Sequence, residues 1–220
     1  MLADGRSEYL IYFAQREHAL RCMDLLAGEP GFEVELGVEP DQNWNAAWQS
    51  AWEPMAVGRR WFLVPPGSTA AVPEGRIRLE FHAGTAFGNG DHPTTQLCLE
   101  WIEELVRPGD RVLDVGCGSG LLCEAARALG AIGVGCDLGA AAVAEARDRG
   151  VAAWIGSVDA AAWADVVIAN VQLGVLEELL PEIRRVARRQ IVLSGLLCDQ
   201  AEAFSGERRD RLGWSAVRLG

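Results

Sequence analysis

The chain has 220 residues, half of them apolar, enough to fill one core with a small accessory unit beside it and too apolar for an intrinsically disordered chain. Its 31 acidic residues outweigh 20 basic ones, all of them arginine, and the resulting net charge of −11 counts against direct nucleic-acid binding while suiting a basic protein partner. Strand-sized apolar runs, a start without a signal-peptide pattern and six scattered cysteines argue against a membrane span, a disulfide framework and a metal site, and for a cytoplasmic protein with reduced thiols.

Residues 9–13 read as a strand, 15–27 as an amphipathic helix turning Ala19, Cys22, Met23 and Leu26 inward, and 32–38 as a second strand. These elements make a small α+β unit over residues 1–40. Residues 41–80 read as a connector, in which Trp44, Trp48 and Trp52 recur every four residues, as on a docked helix face. Strands at 59–66 and 76–81 flank a Pro/Gly/Ser/Thr loop there.

Residues 81–220 form the main domain. Segment 86–95 carries small residues, His92 and two hydroxyls, a composition suited to a flap over a ligand, and helix 96–105 follows. Strands at 112–115, 132–136, 151–154, 165–170, 190–194 and 214–219 then alternate with helices at 121–129, 140–149, 173–187 and 197–204. This order predicts an α/β fold with a doubly wound, mostly parallel, Rossmann-like sheet covered by helices on both faces.

The chemistry concentrates at Val112-Leu113-Asp114-Val115-Gly116-Cys117-Gly118-Ser119-Gly120, a buried strand ending in a glycine-rich turn that opens a helix. Glycines there let the backbone approach a nucleotide-like ligand. A dinucleotide fingerprint would place a third glycine at 121, which is Leu121, so a nicotinamide oxidoreductase is disfavoured. Asp137 closes the next strand about twenty residues on, where a carboxylate can accept both hydroxyls of a ribose. A helix N-cap is the other reading of Asp137.

Asp114 with glycines at 116, 118 and 120 resembles the first motif of class I S-adenosylmethionine-dependent methyltransferases. Ala86-Phe87-Gly88-Asn89-Gly90-Asp91-His92-Pro93-Thr94-Thr95 is similar to the FGTGxHPTT motif of the ribosomal protein L11 methyltransferases. Segment 41–48, the strand 57–66 ending in two prolines, Asp165 to Asn170 and the Ser194-Gly195 turn resemble further parts of that family. The resemblance implies a protein N-methyltransferase using S-adenosyl-L-methionine on lysine and N-terminal amines of a basic ribosomal protein, L11.

Carried over by position, the resemblance makes Thr95, Gly116, Asp137 and Asn170 cofactor-binding residues, with Asp114 and Gly118 beside them. Asn170 is also the candidate catalytic residue, at the strand end where cofactor and amine meet. Thr95 is placed at the start of a helix, where an N-cap role competes with carboxylate binding. His92 reads as structural, and neither a metal nor a covalent nucleophile is needed. The N-terminal unit is shorter than the family's recognition domain, the C-terminus has room for one of two final strands, and Gln172 stands where an apolar or small residue is usual. These departures leave open another protein or small-amine acceptor, or an inactive cofactor-binding paralogue.

Overall fold

A computed structural model describes residues 16–26, 34–37, 53–81 and 90–220. The chain divides into two units, Met1–Asn43 and Trp44–Gly220. The strand expected at 9–13, the tryptophan repeat and residues 86–89 lie outside the described residues, as do residues 32, 33 and 38 of the second expected strand. Its described part, residues 34–37, is exposed and forms neither helix nor strand.

In the first unit, helix α1 (Arg16–Leu26) half-buries Ala19, Cys22, Met23 and Leu26, the stripe its periodicity defines, and leaves Leu25 77% exposed.

The second unit begins with a three-stranded sheet. Strand β1 (Met55–Val57) runs antiparallel to β2 (Trp61–Val64), which is parallel to β3 (Ile77–Glu80). At three residues, β1 is too short to carry a period and was not expected from sequence. The β1–β2 turn is held by Glu103, whose carboxylate accepts the N–H groups of Arg59 and Arg60 at 3.0 Å each. Fully buried Trp61 donates its indole N–H to the Leu99 carbonyl at 2.7 Å, so this sheet is fastened to the helix that carries both acceptors, α2 (Pro93–Leu105).

The main sheet has seven strands in the order β6-β5-β4-β7-β8-β10-β9. Strands β4 (Arg111–Val115), β5 (Ile132–Asp137), β6 (Ala152–Ile155), β7 (Ala164–Asn170) and β8 (Ala187–Leu197) are parallel. Helices α3 (Leu121–Ala128), α4 (Ala140–Asp148) and α5 (Leu173–Val186) connect them. Alternate residues of one strand serve opposite cores. Val166, Ile168 and Val192 join the core shared with α2 and α3, whereas Val167, Ala169, Ile191 and Leu193 join the one shared with α5. Burial on both faces explains why these strands read as continuous apolar runs.

The C-terminal end departs from expectation. Two closing strands are present, β9 (Glu207–Arg211) antiparallel to β10 (Trp214–Leu219), itself antiparallel to β8. Glu207-Arg208-Arg209-Asp210-Arg211 has no apolar residue and gives no strand signal. It forms an edge strand because its arginines reach α2: Arg211 pairs with Glu100 and donates to Gln96, while Arg209 stacks 3.7 Å over the Trp101 ring. Between β8 and β9 only a 3-10 turn, Gln200–Ala203, remains of the expected helix.

Candidate functional site at the carboxyl edge of the sheet

Strand β4 delivers Asp114 and then the glycine loop. Gly116, Gly118 and Gly120 have φ of 74°, 51° and 84°, a left-handed region that other residues enter only with strain. The loop is pinned to the neighbouring strand, for the N–H groups of Gly116 and Cys117 both donate to the Cys136 carbonyl, at 2.8 and 3.0 Å. A Cβ on Gly116 would stand 2.5 Å from the Val171 side chain, so glycine here also makes room for the segment that follows Asn170. Gly195, with φ of 83°, passes the Val171 backbone on its other side, where a Cβ would overlap the carbonyl oxygen. Val171 is thus wedged between the first glycine loop and Gly195, and the Ser194-Gly195 pair expected as a turn lies inside strand β8.

Asp137, closing β5, accepts the Gly118 N–H on Oδ2 at 3.0 Å and the Gly139 N–H on Oδ1 at 2.8 Å. It is not the cap of α4, whose N-cap is Gly139. Instead the carboxylate ties the glycine loop to the start of the next helix. An ionised carboxylate has about four acceptor positions, so each oxygen keeps one for a further donor.

Asp114 is different. It is 2% exposed, its Oδ2 receives only the weak Cys123 thiol at 3.9 Å, and its Oδ1 has no partner. Burial first, and then the charge of Asp137, push its carboxyl up to about 7. Burial likewise raises the nearby Cys117, Cys123 and Cys136 thiols, which stay protonated and are poor nucleophiles. Among the described residues no three His, Cys, Asp or Glu side chains form a set able to hold a metal ion.

Asn170 ends β7. Asp114 is in register with Ile168, so strand alternation puts Asn170 on the same face of the sheet as Asp114, the face covered by α2. Its Nδ2 donates to Thr95 Oγ1 at 3.3 Å, and its buried Oδ1 has no partner.

Helix α2 starts two residues earlier than Thr95. Pro93 takes the first position and His92 is the N-cap, its ring Nδ1 facing Thr94 N at 3.4 Å and Thr94 Oγ1 at 2.7 Å. The ring also packs edge-on against Trp214 with centroids 4.6 Å apart, and burial lowers its pKa. His92 is therefore built into the helix start. Thr95, 1% exposed, is at the third helical position rather than at the cap.

The six residues singled out in the sequence thus gather along the ends of β4, β5 and β7 and the start of α2. Two buried acceptors, Asp114 Oδ1 and Asn170 Oδ1, are left without donors there, and a buried acceptor without a donor costs free energy. Such a pair calls for a ligand with N–H donors. Ser194 belongs to the same surroundings, bonded to the first turn of α2 at Thr94 O, 3.2 Å. Its signals in the sequence are a lone hydroxyl inside the apolar run of residues 191–197 and the family resemblance of the Ser194-Gly195 pair, neither of which gave it a place in the site.

The family model described as "Ribosomal protein L11 methyltransferase (PrmA)" matches residues 6–218. A ribosomal protein L11 methyltransferase of Pseudomonas savastanoi is 36% identical over 206 residues, which are 88% of this chain and 70% of that protein. One of Azotobacter vinelandii is 39% identical over 197 residues, covering 83% and 66%. The crystal structure of a ribosomal protein L11 methylase from Lactobacillus delbrueckii superposes with a TM-score of 0.68 at 22% identity, over 76% of this chain and 96% of that one, and shows that the fold is shared. By motif, model and relatives alike, the chain is a member of the ribosomal protein L11 methyltransferase (PrmA) family.

Proposed function

We propose that this chain is an S-adenosylmethionine-dependent N-methyltransferase that acts in the cytoplasm on lysine and N-terminal amines of ribosomal protein L11. The observation that carries the site assignment is the pair of donorless buried acceptors, Asp114 Oδ1 and Asn170 Oδ1, on one face of adjacent strands beside the glycine loop.

When bound, the cofactor supplies a sulfonium methyl group that a neutral amine takes by direct displacement. Asp137 offers one free acceptor position on each oxygen to the two ribose hydroxyls. Asp114 Oδ1 suits the ammonium of the methionine moiety, and the Thr95 hydroxyl its carboxylate. Asn170 Oδ1 accepts an N–H of the incoming amine and fixes the direction of its lone pair. The proton leaves to solvent before the amine is buried, because burial favours the neutral form of a lysine. His92 serves as the helix cap in this scheme.

Unit Met1–Asn43 is assigned to recognition of the protein substrate, and an acidic chain suits a basic one. No helix among the described residues is long and apolar enough to cross a membrane.

The test is to incubate the full chain with methyl-labelled cofactor and purified L11 and to map the label by mass spectrometry. Label on L11 amines is the expected result. Cofactor binding with label only on other proteins or small amines would transfer the activity to a different acceptor. Binding without any transfer would make the chain a non-catalytic relative.

A further inference from the structure

Strand β8 enters the site as Ile191-Val192-Leu193-Ser194, and Ser194 is its one hydroxyl in an otherwise apolar run. The side chain is completely buried. A buried hydroxyl is unfavourable unless it is bonded, and an apolar residue would fill the same space without that penalty. Its bonds therefore indicate what it does. Oγ lies 3.2 Å from the Thr94 carbonyl and 3.4 Å from the Ser215 carbonyl of β10, which share its single proton, and the Cys98 thiol of the same helix α2 bonds it as well.

Register adds the second part. Ser194 stands directly opposite Asn170 on the neighbouring strand. The first turn of α2 is therefore fastened at one level of the sheet by two bonds, Ser194 to Thr94 on β8 and Asn170 to Thr95 on β7. The Asn170 bond, at 3.3 Å, is near the long limit for its type, so a small outward shift of the α2 turn breaks it. Breaking it frees the Asn170 amide to rotate and lose the direction of Oδ1.

We infer that Ser194 is a positioning residue for the transfer step: it holds the first turn of α2 so that Thr95 orients the Asn170 amide toward the methyl acceptor. This rests on the role given to Asn170 under Proposed function. The β10 carbonyl that shares the proton extends the support to the closing hairpin, where the Ser215 hydroxyl donates to Asp210 at 2.6 Å.

The test uses the full chain with Ser194→Ala, Asn170→Ala and the double variant, with kcat measured at saturating cofactor and cofactor affinity by calorimetry. Ser194→Ala is expected to lower kcat at saturating cofactor about tenfold, whatever the change in cofactor affinity through Thr95, and to lower it less than twofold when Asn170 is already alanine. Equal losses in both backgrounds, or a kcat within twofold of wild type, would overturn the inference. A readout independent of any acceptor is the side-chain amide signal of Asn170 in asparagine-labelled protein, assigned with Asn170→Ala. Its movement toward the position of a free amide in Ser194→Ala supports the inference, and an unchanged signal overturns it even if the wild-type chain transfers no methyl group. Should Ser194→Ala fail to fold, Ser194→Cys, of the same shape with a much weaker donor, takes its place under the same criteria.

Discussion

The Asn170 amide donates to the Thr95 hydroxyl across 75 residues of chain, joining the end of strand β7 to the first turn of α2 and leaving the Asn170 amide oxygen buried and without a donor. An amide held this way has one face committed to structure and the other available to a ligand. Asn170→Ala should lower turnover far more than cofactor affinity, the pattern of an interaction realised mainly in the transition state. Steady-state kinetics together with calorimetry measure both, and a variant with normal turnover would remove Asn170 from the chemistry.

Asp137→Ala should weaken cofactor binding about ten- to a hundredfold, corresponding to roughly 1.5–3 kcal/mol for lost hydrogen bonds to a charged group. The substitution also releases the N–H groups of Gly118 and Gly139, so the glycine loop should exchange its amide hydrogens faster. Unchanged affinity by calorimetry would exclude Asp137 from the site.

Asp114→Asn should stabilise the fold at pH 8 and weaken cofactor binding. The folded-state pKa is raised from the ordinary 3.8 to about 7, so the folded protein holds a proton that the unfolded chain has released between those values. Stability from this group is accordingly lost as pH rises through that window, by a few kcal/mol at about 1.4 per unit, and the neutral asparagine avoids the loss. Urea unfolding at pH 4 and pH 8 checks the sign. An equal effect of the substitution at both values would contradict the assignment.

Removing residues 1–43 should spare cofactor binding, because every site residue named above belongs to Trp44–Gly220, and should abolish or broaden methylation of L11. In the full chain, L11 methylation should weaken as salt rises, since attraction between opposite charges is screened beyond about 8–10 Å near physiological ionic strength. A truncated chain as active on L11 as the full one would place recognition in the larger unit.

The sequence by itself determined the doubly wound sheet and made most residues of the candidate site legible. Strands such as 165–170 are apolar on both faces and helices such as α5 carry a strong apolar stripe, patterns that depend only on neighbouring residues. Asp114, Asp137 and the three glycines could likewise be read from spacing, because a strand, a tight turn and a helix follow one another along the chain. Three features were decided only by the tertiary structure. Glu207–Arg211 becomes a strand through ion pairs with a helix over a hundred residues away, and no local pattern announces it. His92 is fixed as the cap of α2 by Trp214, which supports its ring from the far end of the chain. Ser194 acquires its bonds only when β8 lies in register beside Asn170 and under Thr94, and a partner brought by folding leaves no mark on the residues around it in sequence.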